Sequence, residues 1–322
     1  MKIFGLIKRN SGPDFHRIWQ PLEMMPDTDV YITNAVEEKD FEERRPDLIY
    51  YNRMISDDIL LLQSKYHFRV AVDFDDYWHL DPHHVMFKYS KLNNIPQHHI
   101  KHCRIADIVT TTNERLADEI YKLNKNVVIV PNAIPDNEYF PVNKTESAKG
   151  HRRIFWQGSV THEKDVSMLR ATMKKLDPEK FMSVVCGYNG DEPIWDRIAD
   201  TLTAKKKLPH VVFPGVPVTD YYSNYQYADI AVVPLLSSVF NGFKSCLKVL
   251  EAAHSGIPVI ASNVHPYKNM AGVLYPKNNE DWLRLLNLPQ DELNAAAAEL
   301  SDFCKLNYDF KTINLKRREA FL

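Results

Sequence analysis

Two lysines and a glutamate, Lys244, Lys248 and Glu251, recur at positions i, i+4 and i+7 of the stretch KSCLKVLEAAHSGIPVIAS. On an α-helix they would fall on one narrow stripe opposite an apolar arc. Two ammonium groups beside a helix N-terminus are suited to binding an anion such as phosphate. Glu251, one turn deeper, could accept hydrogen bonds from a neutral diol. The alternative is a solvated helix face with a Lys–Glu pair, which is common at protein surfaces.

The flanking sequence predicts how this helix is positioned. Ser245 is a plausible N-cap, Gly256 suits the position after the last helical residue, and Pro258 prevents the helix from continuing. The apolar runs ADIAVVPLL before it and IPVIAS after it predict strands that are buried on both faces. Ligands of open α/β sheets bind beyond the carboxyl ends of the strands, so we expect the start of this helix to face a ligand.

A second phosphate-suited corner follows the strand RIFWQG, which ends at Gly158. Ser159 and Lys164 border the first turn of the amphipathic helix THEKDVSMLRATMKKL. Between the two corners, DYYSNYQYAD predicts a short helix with tyrosines at helical spacing. We interpret this tyrosine stripe as packing rather than as a ligand cage.

The first half of the chain has polar residues in a similar place. Gly12, His16 and Arg17 follow the strand KIFGLI, in a loop where Asp14 could cap a helix. These residues are therefore predicted at the carboxyl end of the first strand, on the ligand side of a sheet.

Three acids, Asp73, Asp75 and Asp76, sit where a later strand gives way to a loop, and His79 follows them. Their mutual repulsion favours a partner such as a hydroxyl-rich ligand or a cation, or raises the pKa of one acid so that it can act as a base. The alternative is that at least two of the three serve as caps or turn residues.

A histidine-rich stretch follows, in which His98 and His102 have helical i, i+4 spacing. Neither an HExxH motif nor a nearby cysteine or acid completes a zinc ligand set, so we expect loop and helix-surface histidines instead.

Composition limits the class of protein. The chain has 322 residues, 44% hydrophobic and 25% charged, which favours two ordinary globular domains. A net charge of −2 gives no bulk attraction to nucleic acid or membrane. The opening stretch MKIFGLIKRN is too short and too soon charged for a signal peptide, so we expect none, and no apolar run is long enough to span a bilayer. Four scattered cysteines without a CxxC pair indicate reduced thiols in a cytoplasm. The absence of GxGxxG and GxxxxGK[ST] argues against dinucleotide and P-loop proteins.

Short apolar strands alternate with helical segments through both halves. This pattern predicts an α/β fold of two Rossmann-like domains, each a doubly wound parallel sheet, facing a cleft. The basic residues Lys316, Arg317 and Arg318 are expected to serve a helix C-terminus. The predicted boundaries are residues 1–140 for the first domain, 141–152 for a polar linker, 153–305 for the second domain, and 306–322 for a C-terminal helix that could pack back on the first domain.

Five blocks are spread over nearly the whole chain: the Gly12…His16–Arg17…Pro21 loop, ADIVTTTNERLADEI with VVIVPNAI, FWQGSVTHEKD, VVFPGVPVTDYYSNYQYADIAVVPL and KSCLKVLEAAHSGIPVIAS. Their order and spacing resemble the retaining nucleotide-sugar glycosyltransferases of family 4. The resemblance implies the two-domain glycosyltransferase-B (GT-B) fold, with the acceptor on the first domain and the nucleotide sugar on the second.

The resemblance also implies roles for single residues. Glu251 matches the second glutamate of the family's E-x7-E signature, which usually binds the ribose hydroxyls. Lys164 matches the lysine that contacts the donor diphosphate, and Gly215–Val216 match the segment that holds the base. Two positions depart from the family. Phe243 stands where the first glutamate faces the donor sugar, and Ser159 replaces an arginine in the phosphate corner.

The candidate site follows from these matches and from the strand ends. The predicted catalytic residues are Lys164, Lys248 and Glu251. The predicted donor-binding residues are Gly158, Ser159, Lys164, Gly215, Val216, Lys244, Ser245, Lys248 and Glu251. The predicted acceptor-side residues are Gly12, His16, Arg17, Asp75, Asp76 and His79. Lysines would stabilise the charge on the departing diphosphate, so we expect neither a metal nor a cofactor besides a UDP- or GDP-linked donor substrate.

The predicted function is transfer of a sugar to a hydroxyl group of a glycan or glycolipid, with retention. One alternative acceptor is a hydroxylated base in DNA, as in some virus-encoded members of this fold, although phosphate contacts normally need a basic face. Another alternative is a nucleotide-sugar-binding protein without turnover, which Phe243 in place of an acid would permit. An epimerase is more distant. We expect a cytoplasmic protein without stable membrane insertion, and the oligomeric state is left open.

Overall fold

The computed structural model describes residues 1–8, 10–142, 144–145 and 150–322. These residues form two compact units. The first contains Met1–Pro135, Phe243–Ser245 and Tyr308–Leu322, and the second contains Asp136–Gly242 and Cys246–Asn307. The predicted linker, residues 141–152, includes Asn143 and residues 146–149, which lie outside the described residues.

The first unit is built on a parallel sheet of six strands. They are β1 (Lys2–Leu6), β2 (Asp29–Thr33), β3 (Leu48–Asn52), β4 (Arg69–Phe74), β5 (Ile108–Thr111) and β6 (Val127–Ile129), in the order β2-β1-β3-β4-β5-β6. All five pairings are parallel, as the alternation of strands and helices predicted. The strand order reverses between β1 and β3, which makes the sheet doubly wound.

Helices cover both faces of this sheet. They are Gly12–Asp14, Phe15–Trp19 and Gln20–Glu23 in one continuous run, then Glu38–Arg44, Asp57–Leu61, Gln63–Tyr66, Phe87–Leu92, Ile95–Ile105, Glu114–Tyr121 and Phe310–Phe321. Adjacent residues of β3 face opposite sides, so Tyr51 joins one apolar cluster and Tyr50 the other. The C-terminal helix packs Phe321 against Tyr50, with ring centroids 4.8 Å apart.

The second unit has a parallel sheet of five strands. They are β7 (Arg152–Gln157), β8 (Phe181–Tyr188), β9 (His210–Pro214), β10 (Ile230–Val233) and β11 (Val259–Ala261), in the order β11-β10-β7-β8-β9. Its helices are Val160–His162, Glu163–Ser167, Arg170–Met173, Pro193–Leu202, Tyr221–Tyr227, Asn241–Phe243, Leu247–His254, Asn279–Leu286 and Gln290–Asn307; the short Asn241–Phe243 turn ends in the first unit.

The first helix begins one residue after Ser11, so the prediction that Asp14 caps it is wrong. The Ser11 side chain accepts a hydrogen bond from the Asp14 backbone N–H, and Pro13 fits the first turn because its missing N–H is not needed there. The Asp14 carboxylate instead accepts a hydrogen bond from the Lys8 backbone N–H at 2.7 Å.

The predictions of helix-surface histidines and of the role of Arg317 also differ from the structure. His99 and His102 are buried, and the Nδ1 atom of His102 lies 2.8 Å from the Tyr51 hydroxyl. Arg317, which was expected to serve a helix C-terminus, is buried in the first unit and donates to the Asn314 side chain at 2.7 Å. These side chains are buried by residues that lie far away in the sequence, and local periodicity does not predict such contacts.

Candidate functional site

Lys248 lies at the carboxyl edge of the second unit's sheet. It is the second residue of the Leu247–His254 helix, and its Nζ atom lies 3.1 Å from the position that a Cβ atom on Gly158 would take. The same ammonium lies 5.6 Å from the centre of the Trp156 ring, within cation–π range. Gly158 directly follows β7, so this cation stands where ligands of open α/β sheets bind.

Glycines bring the backbone of three strands close together at this edge. A Cβ atom on Gly158 would lie 2.7 Å from the Trp156 ring, and one on Gly187 would lie 2.4 Å from the Gly158 carbonyl oxygen. Gly187 also has a φ of +104°, which side chains rarely tolerate. Gly215, after β9, donates its N–H to the Tyr188 carbonyl at 2.9 Å. The ends of β7, β8 and β9 therefore leave backbone accessible to a ligand.

Glu251 is buried one helical turn after Lys248, with 3% of its surface exposed. Its Oε1 atom accepts a hydrogen bond from the Tyr221 hydroxyl, and its Oε2 atom accepts one from the Tyr225 hydroxyl at 2.8 Å. Burial raises the pKa of Glu251, against the opposing effect of these hydrogen bonds and of the Lys248 charge. Burial and the Glu251 charge raise the pKa of both tyrosines well above its ordinary value, so they are donors at neutral pH.

The tyrosine stripe packs, as predicted, but its hydroxyl groups have specific targets that the spacing did not reveal. Tyr225 packs on Phe155, with ring centroids 4.8 Å apart. Tyr222 donates to the main-chain oxygen of Glu251 at 3.1 Å and lies 2.5 Å from the Ser255 hydroxyl. One tyrosine thus holds the backbone of the Leu247–His254 helix and two others hold the Glu251 carboxylate.

Asp165 is a buried acid near this edge that sequence reasoning did not identify. Its Oδ1 atom accepts hydrogen bonds from the Leu236 N–H at 2.9 Å and from the Asn241 side chain at 3.1 Å. Its Oδ2 atom lies 2.8 Å from His162 Nδ1. Burial opposes ionisation, but His162 and these donors hold the pKa of Asp165 below its usual value. The only sequence signal was its place in the first turn after β7.

The other donor residues predicted in the second unit are exposed. Lys164 is 62% exposed, with Nζ 3.8 Å from the Glu163 carboxylate. Ser159 is exposed just after β7, and Gly215 and Val216 are exposed just after β9. All of them therefore follow strand ends of the same sheet.

The predicted stripe of Lys244, Lys248 and Glu251 is wrong at its first position. The helix begins at Leu247, and its N-cap residue is Cys246 rather than Ser245. Lys244 belongs to the first unit, whereas Lys248 and Glu251 belong to the second. Gly256 does follow the helix with a φ of +64°, as predicted.

Two asparagines of the first unit hold the segment Phe243–Ser245. The Asn113 side chain donates to the Phe243 carbonyl at 2.9 Å, and the Asn132 side chain donates to the Ser245 hydroxyl at 2.7 Å. The Phe243 ring stacks on Tyr77, with centroids 4.3 Å apart. These contacts explain why the helical pattern does not extend back to Lys244.

The acids after β4 have cationic partners. Arg53 pairs with both Asp75 and Asp76 at 2.9 Å, and the Lys244 ammonium lies 3.4 Å from Asp76. Burial opposes ionisation of Asp75, but Arg53, the Asn52 hydrogen bond and the Arg17 charge together hold the pKa of Asp75 below its usual value. The possibility of a base with a raised pKa is therefore wrong for Asp75.

Arg17 does not line an open surface, contrary to the prediction. It is 1% exposed, and its guanidinium makes two hydrogen bonds to Asp73, at 2.8 and 3.0 Å. A third hydrogen bond reaches the Asn132 side-chain oxygen at 3.0 Å. The hydroxyl group of Thr110 donates to the same aspartate at 2.6 Å. Arg17 and Asp73 therefore form a buried ion pair whose polar groups are satisfied by protein atoms.

His16 is also buried, and burial together with the neighbouring Arg17 charge lowers its pKa to about 3. Gly12 starts the first helix and remains partly exposed, while His79 is exposed beside Tyr77. The predicted acceptor-side residues that retain accessible surface are Gly12, Asp75, Asp76 and His79.

Within the described residues, no three or more histidine, cysteine, aspartate or glutamate side chains are grouped to hold a metal ion. Over the same part of the chain, no helix is long and apolar enough to span a bilayer.

Comparisons with known proteins bear on both units. Residues 151–286 match the family model described as glycosyl transferases group 1. A glycosyltransferase from Rickettsia africae is 14% identical, with a TM-score of 0.66 over 99% of this chain and 97% of that one. HepE of Anabaena, solved with UDP and glucose, is 12% identical, with a TM-score of 0.64 over 99% and 98%.

A UDP-forming α,α-trehalose-phosphate synthase from Burkholderia xenovorans is 12% identical, with a TM-score of 0.61 over 88% of this chain and 75% of that one. No curated protein matches the sequence. The two parallel-sheet units and these structural matches identify the GT-B fold of two Rossmann-like domains. With the group 1 match in the second unit, they support a glycosyltransferase.

Proposed function

We propose that the chain transfers a sugar from a UDP- or GDP-linked donor to a hydroxyl group of a glycan or glycolipid, with retention and without a catalytic metal. The observation that carries this proposal is the Lys248–Glu251 pair in the unit that matches the glycosyl transferase model. A cation at the strand edge suits the diphosphate of such a donor, and a buried carboxylate one turn later suits its ribose.

Each end of the donor has a residue suited to it. Lys248 and Lys164 bind the diphosphate, Glu251 accepts hydrogen bonds from the ribose hydroxyls, and the backbone of Gly215 and Val216 holds the base. Lys244 and Ser245 are not required in this arrangement, because their polar groups are bound within the first unit.

The transfer step needs charge stabilisation more than a protein base. The bond between the anomeric carbon and the diphosphate oxygen breaks, and its electron pair leaves with the diphosphate. The acceptor oxygen forms the new bond on the same face of the sugar, and its proton passes to the departing phosphate oxygen. Lys248 and Lys164 stabilise the negative charge that builds on the leaving group.

The acceptor side of this proposal uses the accessible residues of the first unit. Asp75, Asp76 and His79 can hydrogen-bond to a hydroxyl-bearing acceptor, whereas Arg17 and His16 are buried and do not contact it. Phe243 replaces the family's first glutamate, and its ring stacks on the Tyr77 ring. We therefore propose that other groups recognise the donor sugar.

UDP is the first nucleotide to test, because HepE was solved with UDP and the trehalose-phosphate synthase is UDP-forming. We also propose a cytoplasmic location, because no disulfide joins the four cysteines, all of which lie in the described part of the chain.

The test is calorimetric titration of the full chain with UDP and with UDP-glucose. Lys248→Ala is expected to weaken UDP binding by about tenfold or more, because a charge-assisted contact contributes roughly 1.5–3 kcal/mol. Lys175→Ala, an exposed lysine of the same unit, is the matched control and should leave binding unchanged.

Turnover is then followed by NMR with a panel of acceptors, including glycans, glycolipids and DNA with hydroxymethylated bases. Formation of a product with the donor's anomeric configuration on a glycan or glycolipid supports the proposal. Wild-type binding of nucleotides by Lys248→Ala and Glu251→Ala, or transfer to DNA alone, would overturn it.

A further inference from the structure

We propose that Tyr221 and Tyr225 are positioning residues that hold the Glu251 carboxylate as a receptor for the vicinal diol of the donor's ribose. The chain would thereby select ribonucleotides over dideoxyribonucleotides. This inference rests on the proposed function and adds two residues and a specificity to it.

The two hydroxyl groups reach the carboxylate from one short helix, Tyr221–Tyr227, and each binds a different oxygen. A carboxylate side chain has several rotamers, and its rotation is lost when both oxygens are held. The carboxylate is therefore fixed before a ligand arrives, so binding does not incur the full entropic cost of ordering it.

The chemistry of the three groups matches a diol. Both tyrosine hydroxyls donate to Glu251, so the carboxylate remains an acceptor. Each carboxylate oxygen has about two lone-pair sites, so one tyrosine hydroxyl does not use its whole accepting capacity. A ribose presents two neighbouring hydroxyl donors, one for each oxygen. A dideoxyribose presents none and would leave the buried carboxylate without these partners.

A purely structural role would not require this arrangement. Tyr222 already joins the two helices through the Glu251 main-chain oxygen and the Ser255 hydroxyl. Joining the helices does not need a buried carboxylate, whose desolvation is costly. The titratable groups around that carboxylate include Tyr221, Tyr222 and Tyr225 of one helix and Lys248 of its own helix.

The experiment measures the Kd of UDP and of 2′,3′-dideoxy-UDP by calorimetry for the wild type, Tyr221→Phe and Tyr225→Phe. The wild type is expected to prefer UDP by at least about tenfold, since a site built for hydroxyl groups rejects analogues that lack them. Each phenylalanine variant should weaken UDP binding by about fivefold to tenfold and leave dideoxy-UDP binding unchanged. The preference for UDP would therefore fall.

Tyr222→Phe is the matched control, because it removes a tyrosine hydroxyl of the same helix that bonds the main chain of Glu251 and not its carboxylate. It should lower the melting temperature without changing the preference for UDP. A second readout is the pH dependence of UDP binding. The tyrosine hydrogen bonds lower the Glu251 pKa, so either phenylalanine variant should move the acidic loss of binding to higher pH.

The outcomes separate the two proposals. If folded Tyr221→Phe and Tyr225→Phe keep the wild-type preference and pH profile while Glu251→Gln loses UDP affinity, the positioning role is wrong and the proposed function stands. If the wild type binds neither nucleotide, both proposals fail.

Discussion

Asn132 donates a hydrogen bond from its side-chain nitrogen to the Ser245 hydroxyl at 2.7 Å, across 113 positions of the sequence. The oxygen of the same amide accepts a hydrogen bond from Arg17 at 3.0 Å. Asn132 therefore joins the buried Arg17–Asp73 pair to the segment that precedes the Lys248 helix in sequence. That segment belongs to the first unit because of contacts such as this one.

Asn132→Ala is expected to lower the free energy of unfolding by about 1–3 kcal/mol, because it leaves the buried Arg17 guanidinium and the half-buried Ser245 hydroxyl without this partner. The measurement is urea unfolding at constant pH. Ser245→Ala is the control, since it removes only one acceptor and should cost less. An Asn132→Ala variant as stable as Ser245→Ala would contradict this account.

Gly187→Ala is expected to destabilise the protein more than Gly190→Ala. A Cβ atom on Gly187 would lie 2.4 Å from the Gly158 carbonyl oxygen at a φ of +104°, whereas one on Gly190 would meet its nearest neighbour at 3.5 Å. The expected cost is about 1–3 kcal/mol, from backbone strain and displacement. Equal melting temperatures for the two variants would show that these strand ends can separate freely.

Gly158→Ala is expected to weaken UDP binding, because its Cβ atom would collide with the Trp156 ring beneath Lys248. Movement of that ring or of the ammonium group changes the proposed diphosphate contact. Calorimetric titration with UDP checks this, with Gly12→Ala as the control, since nothing lies within 4 Å of a Cβ atom there. If Gly158→Ala bound UDP with unchanged affinity, the proposed contact between Lys248 and the diphosphate would be contradicted.

Acid is expected to destabilise the first unit through its buried histidines. Burial lowers the pKa of His99 to about 3 and that of His102 to about 4, below the ordinary 6.5 of an unfolded chain. The unfolded state therefore binds more protons, and stability that is full above pH 6.5 falls as the pH decreases toward these values. At pH 5 each of these two histidines is expected to lower the free energy of unfolding by about 2 kcal/mol.

His99→Phe should reduce the loss of unfolding free energy at low pH by the contribution of one histidine. The measurement is urea unfolding between pH 7 and pH 4. The exposed neighbour His98 supplies the control, and His98→Gln should keep the wild-type profile. Parallel profiles for wild type and His99→Phe would mean that other groups cause the acid sensitivity.

Turnover is expected to survive exhaustive dialysis against EDTA, because in the proposed reaction Lys248 and Lys164 stabilise the leaving diphosphate. Initial rates with UDP-glucose and an active acceptor provide the measurement. Lys248→Ala should lose activity with or without added Mg²⁺. Loss of wild-type activity in EDTA, restored by Mg²⁺, would show that the lysines do not suffice.

The sequence predicted what depends on local pattern. Apolar runs such as KIFGLI and ADIAVVPLL form strands, as predicted. The alternation of strands and helices was sufficient to predict the doubly wound sheets. The predicted strand ends were sufficient to place Gly158 and Lys248 at the same edge of the second sheet.

The features that the sequence did not predict depend on long-range contacts. Tyr221 and Tyr225 lie 30 and 26 positions from Glu251, and no local pattern states that their hydroxyls converge on its carboxylate. Arg317 was expected to serve a helix C-terminus because it lies among basic residues near the end of a helix, yet it is buried in the first unit. The helical periodicity of the sequence likewise extends through Lys244. It does not reveal the hydrogen bonds by which Asn113 and Asn132 hold Phe243–Ser245 outside the helix.

The helix Phe310–Phe321 has a consequence for how the protein is made. Phe321 packs on Tyr50, and its carbonyl accepts a hydrogen bond from Arg69. Tyr50 and Arg69 belong to β3 and β4, the two central strands of the first sheet. A nascent chain emerges from the ribosome in order, so the first sheet is exposed on this face while the entire second unit is being translated. The N-terminal unit can complete its core only after residue 321 has been synthesised, and chaperones have that interval in which to bind the uncovered face.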